Sequence, residues 1–176
     1  PAPLPFEIFK STVRGELQKV VKWLRKGGLV DALGSTTTLD GRPTTYTLLL
    51  AATVHGQLEM VRELLKRGAS IDLQTKLDWT ALMGAALYGR LSIVRVLLQH
   101  LANPDLQDNE GGTALMSAAD QGHEPCVKAL LQAKANTELL DEGGFTALQH
   151  AELKGHATTA ELLRQHAAPP PPAAAA

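Results

Sequence analysis

Two kinds of side chain in this sequence could do chemistry, and their placement separates them. His123-Glu-Pro-Cys126 has the outline of half a metal site, since an imidazole and a thiolate three residues apart can share a zinc ion. Cys126, however, stands one period after Ile93 and two after Met60, on an apolar stripe, and His123 follows a glycine that itself recurs. Packing accounts for both. His150 and His156 have no third and fourth ligand at a usable spacing, and the sequence holds no Gly-rich phosphate loop, no His-Glu-x-x-His pair and no nucleophile elbow. The expectation is a protein without catalysis, metal or cofactor. The second kind is aromatic. Aromatic residues make up only 4% of the chain, so the place of each is informative: Tyr46, Trp79 and Phe145 immediately precede Thr47, Thr80 and Thr146, and Tyr88 immediately precedes Gly89. Large rings in recurring places suit recognition, because aromatic anchors dominate binding energy at interfaces.

The elements that must position these rings repeat every 33 residues. Thr47-Leu-Leu-Leu, Thr80-Ala-Leu-Met, Thr113-Ala-Leu-Met and Thr146-Ala-Leu-Gln each lead to a glycine nine positions on, at Gly56, Gly89, Gly122 and Gly155. A looser fifth copy, Gly15 to Gly27, runs in step with Gly56 to Gly68. Such a period marks one supersecondary unit stacked several times, each touching only its neighbours. Within a unit, Ala81 to Tyr88 is short and rich in small apolar residues, as an inner helix would be. After Gly89, the residues Ile93, Val94, Leu97 and Leu98 form an apolar stripe on a second, antiparallel helix, with Arg95 and Gln99 facing out. The pairs Ala85-Ala86 and Ala118-Ala119 let neighbouring inner helices approach closely. Pro125 falls in a first helical turn, where its missing N–H breaks no hydrogen bond.

Thr113-Ala-Leu-Met, Ala118-Ala119, Gly122-His123 and Leu130-Leu131 resemble the ankyrin-repeat family over roughly residues 6 to 166. The resemblance implies an all-α fold, a solenoid of stacked antiparallel helix pairs with hairpin loops. On that frame residues 1–5 are an N-terminal tail, 6–31 a capping repeat and 32–46 a long inserted loop or hairpin. Repeats follow at 47–79, 80–112 and 113–145, then a C-terminal capping repeat at 146–167 and a frayed Pro/Ala tail at 168–176. No unit keeps the family's Pro or His in its opening tetrapeptide, and Leu101 and Lys134 stand where Gly27 and Gly68 keep a helix-ending glycine. If those positions take the left-handed conformation, each side chain costs about 1 kcal/mol. In the last unit Glu152 replaces a small residue and Arg164 the leucine of Leu65, Leu98 and Leu131, giving a capping helix a polar face. Asp31 to Thr47 is 16 residues where Asp72 to Thr80 is 8, so an 8-residue insertion lies around Gly34 to Pro43. Its Gly, Pro, Ser and Thr content reads as an exposed loop, either tolerated length or a partner-contacting finger.

The family binds other proteins on a concave face made of hairpin tips and inner helices. By that resemblance the residue before each opening threonine and the pair before each glycine project there, which assigns partner binding to Tyr46, Val54, His55, Leu77, Trp79, Leu87, Tyr88 and Phe145. Tyr46, Trp79 and Tyr88 are expected to cluster, and Phe145 to shield the last hairpin. The partner is a protein or peptide, with self-association through the aromatic patch, a scaffolding or targeting arm of a larger protein, and an engineered repeat array without a native partner as alternatives. A formal charge of −1 lacks the basic stripe that nucleic acid requires. Unit one is nonetheless basic, with Lys10, Arg14, Lys19, Lys22, Arg25 and Lys26, whereas later hairpins carry Asp108, Glu110, Asp141 and Glu142. One cysteine excludes an internal disulfide, no apolar run could span a bilayer, and no leader precedes a cleavage site. The expected location is intracellular, in cytoplasm or nucleus.

Overall fold

Each threonine that opens a unit caps a short helix. In the computed structural model, which describes residues 3–37 and 43–166, the Thr47 Oγ1 accepts the Leu50 N–H at 2.9 Å. Thr80, Thr113 and Thr146 do the same for Met83, Met116 and Gln149 at 3.3, 3.2 and 3.3 Å. A threonine cap of this kind is worth about 1 kcal/mol. The helices so begun are α3 (Leu48–Val54), α5 (Ala81–Leu87), α7 (Ala114–Asp120) and α9 (Ala147–Leu153). Each stops at a left-handed glycine, with φ of 70° at Gly56, 62° at Gly89, 68° at Gly122 and 75° at Gly155. A β-carbon at Gly89 would also lie 2.8 Å from the His123 ring, so conformation and space both require glycine there.

The chain then reverses into the outer helices α4 (Leu58–Lys66), α6 (Leu91–Gln99), α8 (Glu124–Gln132) and α10 (Ala157–His166). The looser opening copy supplies α1 (Phe6–Val13) and α2 (Leu17–Arg25), so among the described residues ten helices form five antiparallel pairs. Inner helices pack in the order α1, α3, α5, α7, α9, and α4, α6, α8, α10 stack behind them. The alanine pairs at 85–86 and 118–119 are fully buried between inner helices, as the small-residue argument requires. Leu48, Leu82 and Leu115 from the inner layer and Leu64, Leu97 and Leu130 from the outer layer fill the core at 1% exposure or less. Cys126 is buried in that core, and burial pushes its thiol above the usual range.

A ladder of long-range hydrogen bonds fixes the register between pairs. The residue after each recurring glycine reaches back to the end of the preceding inner helix: Gln57 Nε2 donates to the Val13 carbonyl at 2.8 Å, Arg90 Nη2 to Val54 at 3.3 Å, His123 Nε2 to Leu87 at 3.1 Å and His156 Nε2 to Asp120 at 2.9 Å. These bonds satisfy carbonyls that a helix leaves unpaired at its C-terminus. His123 is thus a structural strut. Asp31, Asp72 and Asp105 in turn accept the backbone N–H of Ser70, Asn103 and Asn136 in the next unit, at 2.9, 3.0 and 2.8 Å.

Of the loop and the hairpin that the insertion allows, the structure forms the hairpin. Strands β1 (Gly34–Thr37) and β2 (Pro43–Tyr46) pair antiparallel, with Gly34 opposite Tyr46, so the extra residues extend a hairpin; its tip at 38–42 lies outside the described residues, as does the tail from 167. Thr45 and Tyr46 are buried, which anchors β2 against the stack. Leu101 and Lys134 do adopt the left-handed conformation, with φ of 65° and 61°, where Gly27 and Gly68 have 96° and 82°. Asp78, with φ of 58°, likewise occupies a hairpin position that later units give to Gly111 and Gly144. On the last pair Arg164 Nη2 reaches Glu152 Oε1 at 2.6 Å, joining the two polar capping positions across α9 and α10.

Candidate functional site

Three hairpins and three inner helices enclose an open groove. Its volume is about 500 Å³. One wall is Thr44, Thr45 and Tyr46 of β2 with Phe9 of α1; the floor is Leu50, Ala51, Val54 and His55 of α3; the far wall is Thr75, Leu77 and Trp79, with Tyr88 at the end of α5 and Asp108, Asn109 and Glu110 beyond. No side chain needs to move to make this shape, because each hairpin is internally braced. The Thr75 N–H donates to the Trp79 carbonyl at 3.0 Å, and Thr75 Oγ1 accepts the N–H groups of Trp79 and Leu77 at 3.1 and 3.3 Å. One period later Asp108 Oδ1 accepts from Glu110 and Gly112, and two periods later Asp141 Oδ1 accepts from Phe145. Adjacent hairpins are tied together by Lys76 N–H to Thr45 Oγ1 at 3.0 Å, Asn109 N–H to the Leu77 carbonyl at 3.2 Å and Glu142 N–H to the Glu110 carbonyl at 2.9 Å.

The aromatic residues play different parts in this frame. Tyr88 is 49% exposed and Trp79 is half-buried, so both present ring surface to the groove. Tyr46 is only 9% exposed; its ring lies 4.1 Å from that of Phe9, and a β-carbon at Gly34 would fall 2.2 Å from its Cζ, so the phenol packs down over its own hairpin. Burial raises its pKa above the usual phenol value, because the phenolate would be poorly solvated there. Tyr46 therefore shapes the wall more than it offers a free ring. His55 is exposed, and Val54 and Leu77 are half-buried in the same groove.

Leu87 and Phe145 lie elsewhere. Leu87 lines a smaller neighbouring cavity of about 190 Å³, with Met116, Ser117, Asp120, Asp141 and His150, which shares Asp108 and Glu110 with the larger groove. Phe145 lines neither cavity and stacks edge-on against His150 at 6.1 Å over the last hairpin. His150, for which the sequence offered no third and fourth metal ligand at a usable spacing, instead sits between two carboxylates: its Nε2 is 2.8 Å from Asp141 Oδ2, and Nδ1 is 3.5 Å from Asp120 Oδ1. Burial by itself pushes the Asp141 carboxyl up, but the Phe145 N–H, the His150 hydrogen bond and charge, and the Gly143 N–H together outweigh it and hold it below the ordinary carboxylate range. The two carboxylates with one imidazole make a clamp across the last two helix pairs.

Phe9 and Leu50 are the large apolar groove residues that sequence reasoning missed, beside the smaller Thr44, Thr45, Ala51, Thr75 and Asn109. Phe9 belongs to the opening copy, whose loose register hides its place. Leu50 is the fourth residue of an opening tetrapeptide, the position where Met83 and Met116 are buried; it stays half-exposed at the groove floor beside Gly84 of α5, where a β-carbon would lie 2.9 Å from its Cδ1.

Chemically the groove offers apolar surface and backbone-braced rings at one end and carboxylates at the other. Among the described residues no helix is long and apolar enough to cross a membrane. Compared with known families, residues 12–108 and 98–171 match the family model described as ankyrin repeats (3 copies). No curated protein matches the chain.

Proposed function

The chain belongs to the ankyrin-repeat family, and from that premise we propose that it is a non-catalytic interaction module whose groove between β2 and the 75–79 hairpin docks a segment of a partner protein. Ankyrin repeats generally mediate protein–protein interaction, and the family is typically non-enzymatic. The observation that carries the reading is the groove of about 500 Å³ that holds Trp79 and Tyr88 with part of each ring uncovered on a braced scaffold. Exposed apolar concavities of this kind mark interaction sites, and a preformed wall loses little entropy when a ligand docks. Leu77, Val54 and His55 supply its flanks, while Leu87 and Phe145 fall outside it.

The test is affinity selection of displayed peptides on the wild-type protein, followed by binding measurements on the Trp79→Ala variant. Removing a central aromatic anchor costs at least about 2 kcal/mol, or roughly 30-fold in affinity. Selected peptides that bind the variant as tightly as the wild type would remove the groove from the interaction surface.

A further inference from the structure

The floor of the groove does not end at α3. Leu50, Ala51, Val54 and His55 line it, and because Gly15 runs in step with Gly56, the same four places on α1 are Phe9, Lys10, Val13 and Arg14. The helix α1 packs directly against α3, so the floor continues onto it. Phe9 already lines the groove, its ring 4.1 Å from that of Tyr46 and 6.2 Å from that of Phe6. Phe6 is 62% exposed, and Lys10 Nζ lies 4.7 Å from the centre of its ring. The residue before each recurring glycine turns to this side: His55 and Tyr88 line the groove, and Lys154 reaches Asp120 of the preceding inner helix at 3.6 Å. Arg14 holds that place in unit one. It is exposed and forms no ion pair among the described residues; it acts on Glu16 only through space, since that carboxylate is held by Lys19 Nζ at 2.7 Å and Ser11 Oγ at 2.9 Å. Lys10 pairs with Glu7 at 3.0 Å, but the Glu7 side chain is itself 80% exposed, and so solvated a pair is worth little. The extension is thus a shelf of phenyl surface bordered by two cations four residues apart on one helix face.

We propose that this shelf on α1 is a subsite for an acidic side chain: the partner segment seats a large apolar residue against Trp79 and Tyr88 and pairs an aspartate or glutamate with Arg14 and Lys10. This rests on the docking reading above and names the partner's chemistry. Residues 1–33 carry six basic side chains against three acidic ones, a net of +3 in a chain whose formal charge is −1, so an acidic segment is drawn to this end. The guanidinium of Arg14 offers the planar fork that a carboxylate takes in two parallel hydrogen bonds. Arg14, His55 and Tyr88 hold the same place in successive units. Stacked helices lie about 8–10 Å apart and an extended chain advances about 3.3–3.6 Å per residue, so two units span about five residues of ligand. The acidic residue stands about that far from the apolar anchor.

The experiment uses a random displayed peptide library panned on the full chain, with the recovered peptides synthesised and their affinities measured on variants. The recovered sequences share an Asp or Glu about five positions from a large apolar residue, and bind roughly fivefold more weakly to Arg14→Gln with Lys10→Gln. Changing that acidic residue of the peptide to its amide costs as much on the wild type and nothing further on the double variant. Lys22→Gln with Lys26→Gln removes equal charge from exposed places on α2 that do not line the groove, and leaves affinity within about twofold. Thermal melting checks that each variant is folded. Peptides that depend on Trp79 but lack the acidic residue, or that lose as much with the α2 variant as with the α1 variant, overturn this inference and leave the docking reading standing. Peptides that bind Trp79→Ala without loss overturn both.

Discussion

Leu101→Gly should stabilise the protein, and the size of the effect follows from two observations. Leu101 ends α6 with φ of 65°, a conformation that brings the β-carbon of an L residue against the following carbonyl and costs about 1 kcal/mol. Its side chain is 86% exposed, so deleting it sacrifices only about a tenth of the 1.5–3 kcal/mol that full burial of leucine provides, roughly 0.3 kcal/mol. The turn survives the change, because the bonds that close it run between backbone groups, from Leu101 N–H to Leu98 and from Ala102 N–H to Leu97. The net gain is about 0.7 kcal/mol, which for a chain of this length raises Tm by roughly 2 °C. Leu101→Ala is the control, since it removes the same exposed side chain while keeping the strain. Thermal unfolding followed by circular dichroism should place the alanine variant near wild type and the glycine variant above both. A glycine variant that melts lower, or an alanine variant that gains as much, would refute the assignment of strain at this turn.

Two further substitutions probe the scaffold. Thr53 is fully buried on α3 and its Oγ1 has no hydrogen-bond partner among the described residues, whereas Ala86 and Ala119 stand at the equivalent places; Thr53→Ala should raise stability by about 1 kcal/mol in chemical denaturation, and a loss would show that the hydroxyl is satisfied. Asp141, held below the ordinary carboxylate range, contributes stability that is fully present above its unfolded value of about 3.9 and is lost as pH falls through its lower folded value. Asp141→Asn should therefore melt below wild type at neutral pH, with the gap closing under acid below about pH 4; a gap that persists there would assign the effect to geometry alone.

Much of the frame was legible because it is periodic. The spacing of Thr47, Thr80, Thr113 and Thr146 to their glycines placed four inner helices and the turns that end them, and the period-matched gap at Leu101 and Lys134 pointed to strained helix ends. What the period could not convey was the state of a side chain whose neighbours come from an irregular part of the chain. Tyr46 sits in the recurring aromatic place, yet the insertion gives it a private hairpin with Gly34, a residue small enough to let the phenol fold down onto Phe9. Leu87 was separated from its neighbour Tyr88 by one helical step, which turns it toward the acidic cavity. His150 shows the limit from the other side: spacing along the chain spoke only to a missing metal-ligand set, while stacking brought Asp120 and Asp141 to both ring nitrogens. The hairpin braces Thr75, Asp108 and Asp141 were present in the sequence at a strict 33-residue interval. Their change from hydroxyl to carboxylate is the signal of the groove's polarity.

The chain has two tryptophans, Trp23 on α2 and Trp79 in the groove, so incorporation of 5-fluorotryptophan gives one fluorine resonance for each, assigned with Trp23→Phe. Titrating a selected peptide should shift or broaden the Trp79 resonance and leave that of Trp23 in place. A peptide that binds while the Trp79 resonance stays still, or that moves only Trp23, would contradict docking in this groove.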